Sequence, residues 1–184
     1  GFFLRHWHLF GTYGFFLAGC SSTAVLGLFF FMMVFMDTTA TIPTGTMCER
    51  WGWGNFCLYG LWVALPYCLF ANWAWGGGWL AQLGLNFSLG SGFLDPGGAA
   101  TVHVLGGLSA LAVIWIAGPR RGKFPREGLS TAMPGHNAAY VLFGCLVCLV
   151  GFAAWNLAGA ILFLRAPMAA LPLTAINTLL SASA

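Results

Sequence analysis

The stretch LDPGGAATVHVLGG, Leu94 to Gly107, continues as LSALAVIWIAG to Gly118, and between Asp95 and Arg120 its only ionisable side chain is His103. An uncharged run of this length matches a helix crossing about 30 Å of hydrocarbon, and it predicts a span over 96–117. Asp95 followed by Pro96 reads as the helix start, because aspartate at N-cap accepts from free amides and proline suits the first helical position. Counted from Pro96 at about 1.5 Å per residue, His103 lies roughly 10 Å down the helix, beyond the interface. Three and four positions from it stand Ala99, Ala100, Gly106 and Gly107, all small. That spacing leaves two readings of His103 open: a histidine bonded across a close helix contact, or one lining a pore in a hollow beside its ring. A neutral imidazole at that depth can pass a hydrogen bond or a proton but hardly hold a charge.

The rest of the chain agrees about the solvent. Of 184 residues 59% are hydrophobic and 6% charged, against about 25% charge in ordinary soluble domains. So few charges cannot cover a water-exposed surface, and the expected class is an all-α integral membrane protein with about five transmembrane helices. They are placed near 18–47, 55–75, 96–117, 138–164 and 167–184. Loop 119–126, PRRGKFPR, carries Arg120, Arg121, Lys123 and Arg126, which makes it cytoplasmic under the positive-inside rule. Alternation puts Glu49 and Arg50 on the same side and the Trp- and Gly-rich loop 76–95 outside, with Arg5 and Arg165 as weaker exceptions. The net charge of +3 is thus a topology signal, and no nucleic-acid partner is expected. The six cysteines form no CxxC pair flanked by loops and read as buried apolar thiols, so no metal is expected. LGSG at 89–92 is too short and wrongly placed for nucleotide binding, and no nucleophile cluster is visible, so neither an enzyme nor a cofactor is expected. The opening GFFLRHWHLF lacks both an initiator Met and the order of a signal peptide, and reads as the interior of a longer protein.

In lipid the informative residues are the polar ones at depth. Asp37 is too costly to face lipid and is expected to point into the protein, near a backbone bent at Pro43. Phe31 and Phe35, four apart, share one helix face, and Thr38, Thr39, Thr41, Thr44 and Thr46 make the inner half of that span polar. In ANWAWGGGWLAQLG, 71–84, Trp73, Trp75 and Trp79 read either as an aromatic belt or as indoles at an outer mouth that attract a small cation. Trp155 and Asn156 lie within the fourth span, where Asn ordinarily bonds across helices.

In this order the motifs resemble the ammonium transporter/Rh family. ATIPTGTMCERW is similar to the end of that family's third helix, ANWAWGGGWLAQLG to the end of its fourth and the following loop, DPGGAATVHVLGG to its fifth-helix signature, and PGHNAAYVLFG, 134–144, to the start of its sixth. The resemblance covers nearly everything from Phe29 to Asn156 and makes 1–184 part of one such domain, about helices 3–7. It implies ammonium or ammonia as substrate and passage through an aromatic-gated, histidine-lined pore. By position, Trp75 and Asp95 serve recruitment, Trp75 by cation–π contact and Asp95 as electrostatic support without touching the pore. Phe35 matches the outer gate, flanked by Phe31, and His103 the first of two pore histidines. The family's partners are the lipid bilayer and either further copies in a homotrimer or other membrane subunits.

Departures qualify the match. The second gating phenylalanine is Trp155, a larger ring able to narrow or close the path. WNLAGA lacks the serine expected near the vestibule, and DPGG replaces the more usual DFAG. The family has about eleven spans in two inverted halves, and its second pore histidine comes from the later half. Two functions therefore stand: a part of an ammonium channel, or a truncated, transport-inactive relative serving as a structural subunit of a larger membrane complex.

Overall fold

The computed structural model describes residues 9–125 and 128–184, and every regular element among them is helical. Four helical stretches are long and apolar enough to cross a membrane, Thr23–Met47, Trp53–Ala74, Ala99–Ala117 and Ala138–Leu164, and a shorter apolar helix follows them. The chain divides into two compact units, Gly1–Leu94 with Gly98–Phe124, and Asp95–Gly97 with Pro125–Ala184.

In the first unit, α1 runs Thr23–Thr41 after a 3-10 turn at Phe15–Leu17. Its start lies five residues beyond the expected 18 because Ser22 is the N-cap, its hydroxyl accepting from the Val25 amide at 3.2 Å. Pro43 has no amide to continue the ladder. The chain resumes as α2, Thr44–Met47, with the amides of Thr46 and Met47 donating to the Pro43 carbonyl. The threonines serve this junction. Thr38 and Thr39 hydroxyls donate to the carbonyls of Val34 and Phe35, Thr44 to Thr41 and Thr46 to Pro43. A hydroxyl bonded to its own helix needs no outside partner in hydrocarbon.

Helix α3, Trp53–Ala74, contains Pro66 and is tied to α1 by the Tyr67 hydroxyl, which donates to the Met32 carbonyl at 3.1 Å. Met47, Tyr59, Val63 and Val113 form the buried cluster between these helices and α5, Leu105–Ala117. A β-carbon on Gly106 would stand 2.7 Å from Ile42 Cδ1 and 2.9 Å from its Cβ, so the glycine lets α5 lie against the end of α1. Beyond α5, Arg50 Nε donates to the Gly118 carbonyl at 2.7 Å, and Arg120 lies 3.9 Å from the Glu49 carboxylate. The cations of the two loops therefore sit at one end of this unit; of loop 119–126, Arg126 lies outside the described residues, as does Arg5.

The second unit is built on α6, Ala138–Leu164, and α7, Leu171–Ser183, joined through a 3-10 turn at Met168–Ala170. Asn137 caps α6, accepting from the amides of Ala139 and Tyr140. Asn156 bonds across the helix pair, Nδ2 donating to Thr178 Oγ1 at 3.0 Å, while that hydroxyl donates to the Thr174 carbonyl. The last helix has 13 residues, shorter than the span expected over 167–184.

Two expectations about burial are corrected. Asp37 is exposed. It follows the buried Phe35 by two residues, about 200° around the helix, so packing Phe35 inward turns the carboxylate outward. The cysteines are not buried either: Cys48, Cys57, Cys68, Cys145 and Cys148 are exposed and Cys20 is half-buried. Helices apolar on all sides give no stripe from which to read the inward face.

The glycine contact makes a direct comparison. Gly106→Ala should lower stability by about 1–3 kcal/mol through overpacking against Ile42. Gly107→Ala, at a helical position with nothing within 4 Å, should not lower it and should gain up to about 1 kcal/mol of helix propensity. Thermal unfolding of the two variants in detergent, read against the parent, checks this.

Candidate functional site

The site builds from the end of α3. Trp75 is its C-cap, the amide donating to the Ala71 carbonyl at 2.8 Å. The glycines that follow fold the chain back, with the amides of Gly76 and Gly78 both donating to the Asn72 carbonyl, at 3.0 and 2.9 Å. Gly77 takes φ +83°, a conformation glycine adopts without strain. This turn sets the Trp75 indole and the Phe35 ring in T-shaped contact, with ring centroids 5.4 Å apart and planes at 83°. The Phe31 ring, tilted by 48°, has its centroid 4.6 Å from that of Phe35, as their shared helix face allows. Phe35 is fully buried. The other two tryptophans have different company: Trp73 donates from Nε1 to the Leu9 carbonyl, and its ring lies 5.9 Å from that of Trp79. Spacing alone did not separate Trp75 from these neighbours; the family resemblance did.

His103 belongs to the same unit, and its backbone differs from the expected one. The helix does not start at Pro96. Its N-cap is Gly98, at φ +70°, ψ 25°, with no side-chain cap, so Asp95 does not serve as N-cap. From Gly98 the chain enters a π-helical turn, Ala99–Val104, before becoming α5. The left-handed glycine turns its carbonyl into the helix start, where it accepts from two amides, Val102 at 2.9 Å and His103 at 3.0 Å. His103 Nδ1 lies 3.2 Å from that same carbonyl oxygen. The imidazole is half-buried, next to the fully buried Thr101 and Val102. Of its small neighbours, Gly106 is taken up by Ile42, while Gly107 has open space around it.

Gly98 also explains why no side chain stands there. A β-carbon would come 2.7 Å from Val102 Cγ2 and 3.4 Å from Phe35 Cε1. One glycine thus lies in contact reach of both the Phe35 ring and the His103 imidazole. Sequence reading missed this role, although GG before an apolar helix is a visible signal for a left-handed start.

The second unit holds the remaining candidates. Asp95 is buried. Trp155 donates from Nε1 to the Gly97 carbonyl at 3.0 Å, and its ring lies 6.0 Å from that of Phe152. A β-carbon on Gly97 would run into Asn156 Oδ1, and one on Gly159 into the Pro96 carbonyl. These contacts suit DPGG, where glycine replaces a residue with a side chain.

A cavity of about 610 Å³ opens between α3 and α5, lined by Trp51, Tyr59, Trp62, Leu108 and Val113 among others. It contains none of the candidate residues. The described residues include no cluster of three or more His, Cys, Asp or Glu side chains able to hold a metal.

Comparison with known proteins gives a consistent result. The family model described as Ammonium Transporter Family matches residues 2–184. Ammonium transporter Amt2 of Archaeoglobus fulgidus is 41% identical over 150 residues, 79% of this chain and 32% of the relative. Ammonium transporter Amt1 of Haloferax mediterranei is 34% identical over 128 residues, 68% of this chain and 25% of the relative. The ammonium transporter of Bacillus subtilis is 33% identical over 132 residues, 71% of this chain and 29% of the relative. The matches thus span about a quarter to a third of the length of these relatives. No solved structure matches.

The Trp155 bond can be tested alone. Trp155→Phe keeps an aromatic ring and removes the donor to Gly97, and should cost about 0.6 kcal/mol and at most about 1.7 kcal/mol, the range for polar contacts within membranes. Thermal unfolding of the variant should show the loss; an unchanged midpoint would show that the bond contributes nothing.

Proposed function

This chain belongs to the Ammonium Transporter Family, and on that footing we propose that it forms part of a protein that moves ammonium or ammonia across a membrane through an aromatic-gated, histidine-lined pore. The observation that carries the reading is the grouping of Trp75, Phe35 and His103 in one compact unit: indole and buried phenyl ring in T-shaped contact, and both Phe35 and His103 against Gly98. The physics favours a division of labour. An indole face attracts a small cation by about 0.5–2 kcal/mol without removing it wholly from water. A charged ammonium pays heavily to leave that water for an apolar channel, whereas neutral ammonia does not. Aromatic rings outside and neutral imidazole inside therefore suit recruitment of the cation, loss of its proton and passage of the neutral molecule.

Phe35, with Phe31 behind it, is the gate in this reading, and Trp75 the recruiting ring. Asp95 and Trp155 take their roles from the family pattern: electrostatic support for recruitment, and the position of the second gating ring. The loop at 119–126 is cytoplasmic by its cations, which places Trp75 at the outer side. A homotrimer, or assembly with other membrane subunits, completes the proposal.

The alternative, a transport-inactive structural subunit, draws on Trp155, whose ring is larger than the phenylalanine it replaces. Flux separates the two. In liposomes carrying the complete protein, His103→Ala should abolish methylammonium uptake or alter it at least several-fold. Trp75→Leu should raise the half-saturating concentration by roughly 2–30-fold, the equivalent of about 0.5–2 kcal/mol of lost cation–π attraction. Unchanged flux in His103→Ala would remove His103 from the path, and no flux even in the parent protein would favour the scaffold.

A further inference from the structure

We propose that the groove between α3 and α5 seats one acyl chain of an anionic phospholipid, with the headgroup held by Arg120 and Arg121. The groove shares no residue with Trp75, Phe35 or His103, and its role does not depend on the transport reading.

The lining suits a hydrocarbon chain. Tyr59 and Val113 form a buried floor, and Leu58, Trp62, Leu108 and Ile116 line the groove with more than half of each residue exposed. Ser109 is the polar residue that α5 contributes, and its hydroxyl donates to the Leu105 carbonyl of its own helix at 2.9 Å. A mostly apolar cavity of about 610 Å³ gives ordered water too few polar partners to stay. Its length agrees with the same occupant. On the α3 side the lining runs from Trp51 to Trp62, a distance of about 16 Å at helical rise. That is half of a hydrocarbon layer about 30 Å thick, so the groove follows a single leaflet as a lipid chain does.

Charge selects the kind of lipid. Arg50 adjoins Trp51, and its guanidinium ties the ends of the two helices together by donating to the carbonyls of Gly118 and Thr46. Arg120 and Arg121 follow Ile116 by four and five residues. The Arg120 side chain is 38% exposed beside Glu49, and Arg121 is exposed. Glu49 is the one acidic side chain described at this end, so the groove opens onto a net cationic border. Each cation just beyond a membrane span raises the affinity for an anionic headgroup about fivefold, the equivalent of about 1 kcal/mol.

The test uses the complete protein in phosphatidylcholine nanodiscs, with increasing fractions of either phosphatidylglycerol or phosphatidylcholine carrying dibrominated chains. Bromine quenches an indole at contact, so the quenching that disappears in Trp62→Phe reports the groove. The expected result is that Trp62 quenching half-saturates at a fraction of phosphatidylglycerol at least fivefold below that of phosphatidylcholine. Arg120→Gln combined with Arg121→Gln should bring the two lipids together without abolishing quenching. Ala112→Phe, which fills the groove from an exposed lining position, should remove Trp62 quenching by both lipids and leave the arginines in place. Equal half-saturation in the parent protein would show only the surrounding bilayer at Trp62 and overturn the proposal. So would an absence of quenching by either lipid, which would mean that another segment of the protein covers the groove. A preference that survives loss of both arginines, or quenching that survives Ala112→Phe, would place the headgroup or the chain elsewhere and overturn it equally.

Discussion

The contact between the Phe35 ring and the bare backbone of Gly98 is the constraint on which the rest of the first unit depends. Phe35 is fully buried, and a β-carbon on Gly98 would meet its Cε1 at 3.4 Å, in ordinary contact, and Val102 Cγ2 at 2.7 Å, too close to fit. On one side this fixes the Phe31 and Trp75 rings, both within 5.4 Å of it by centroid. On the other it leaves Gly98 free to take the left-handed turn that opens the π segment, and through that turn it determines where His103 stands. Trp75, Phe35 and His103 are thus not three independent placements. A shift of Phe35 would be felt by all of them, because packed interiors do not deform smoothly.

A second constraint comes from the solvent. In hydrocarbon every backbone polar group must find its partner inside the protein. The irregular places along this chain meet that demand with local means. Threonine hydroxyls bond to the carbonyls of their own helix around Pro43, the Asn72 carbonyl accepts two amides from the glycine loop, and the Gly98 carbonyl accepts two amides and lies 3.2 Å from His103 Nδ1. Irregular backbone at such positions is what lining a path requires, since a regular helix presents side chains but no carbonyls. Asp37 stands apart from this economy, on an exposed face of α1 within this chain.

What sequence made legible follows the same physics. The spans could be read because uncharged runs of about 20 residues have one common explanation in a chain this poor in charge. The pairing of Phe31 with Phe35 could be read because four residues is nearly one turn. The start of the fifth-helix segment could not. Asp95–Pro96 satisfies every local rule for a helix N-terminus, yet the left-handed turn at Gly98 sets the boundary three residues later. The π turn was equally hidden, since six residues of mostly small apolar type do not distinguish a bonding step of four from one of five. Inward and outward faces failed for Asp37 and the cysteines, because a helix apolar all round carries no moment to orient it. Among Trp73, Trp75 and Trp79 spacing made no choice; the resemblance singled out Trp75, and the path of the glycine loop sets its ring against Phe35.

The central claim is that Trp75 and Phe35 receive a cation which does not travel on as a cation past His103. A structure of the complete protein in lipid, determined in methylammonium and again without it, tests this most directly. The account predicts ligand density within about 6 Å of the Trp75 ring centroid, on the side of Phe35 away from His103, and absent without the ligand. Density equally strong beside His103 with none at Trp75, or a vestibule unchanged by saturating methylammonium, would contradict it.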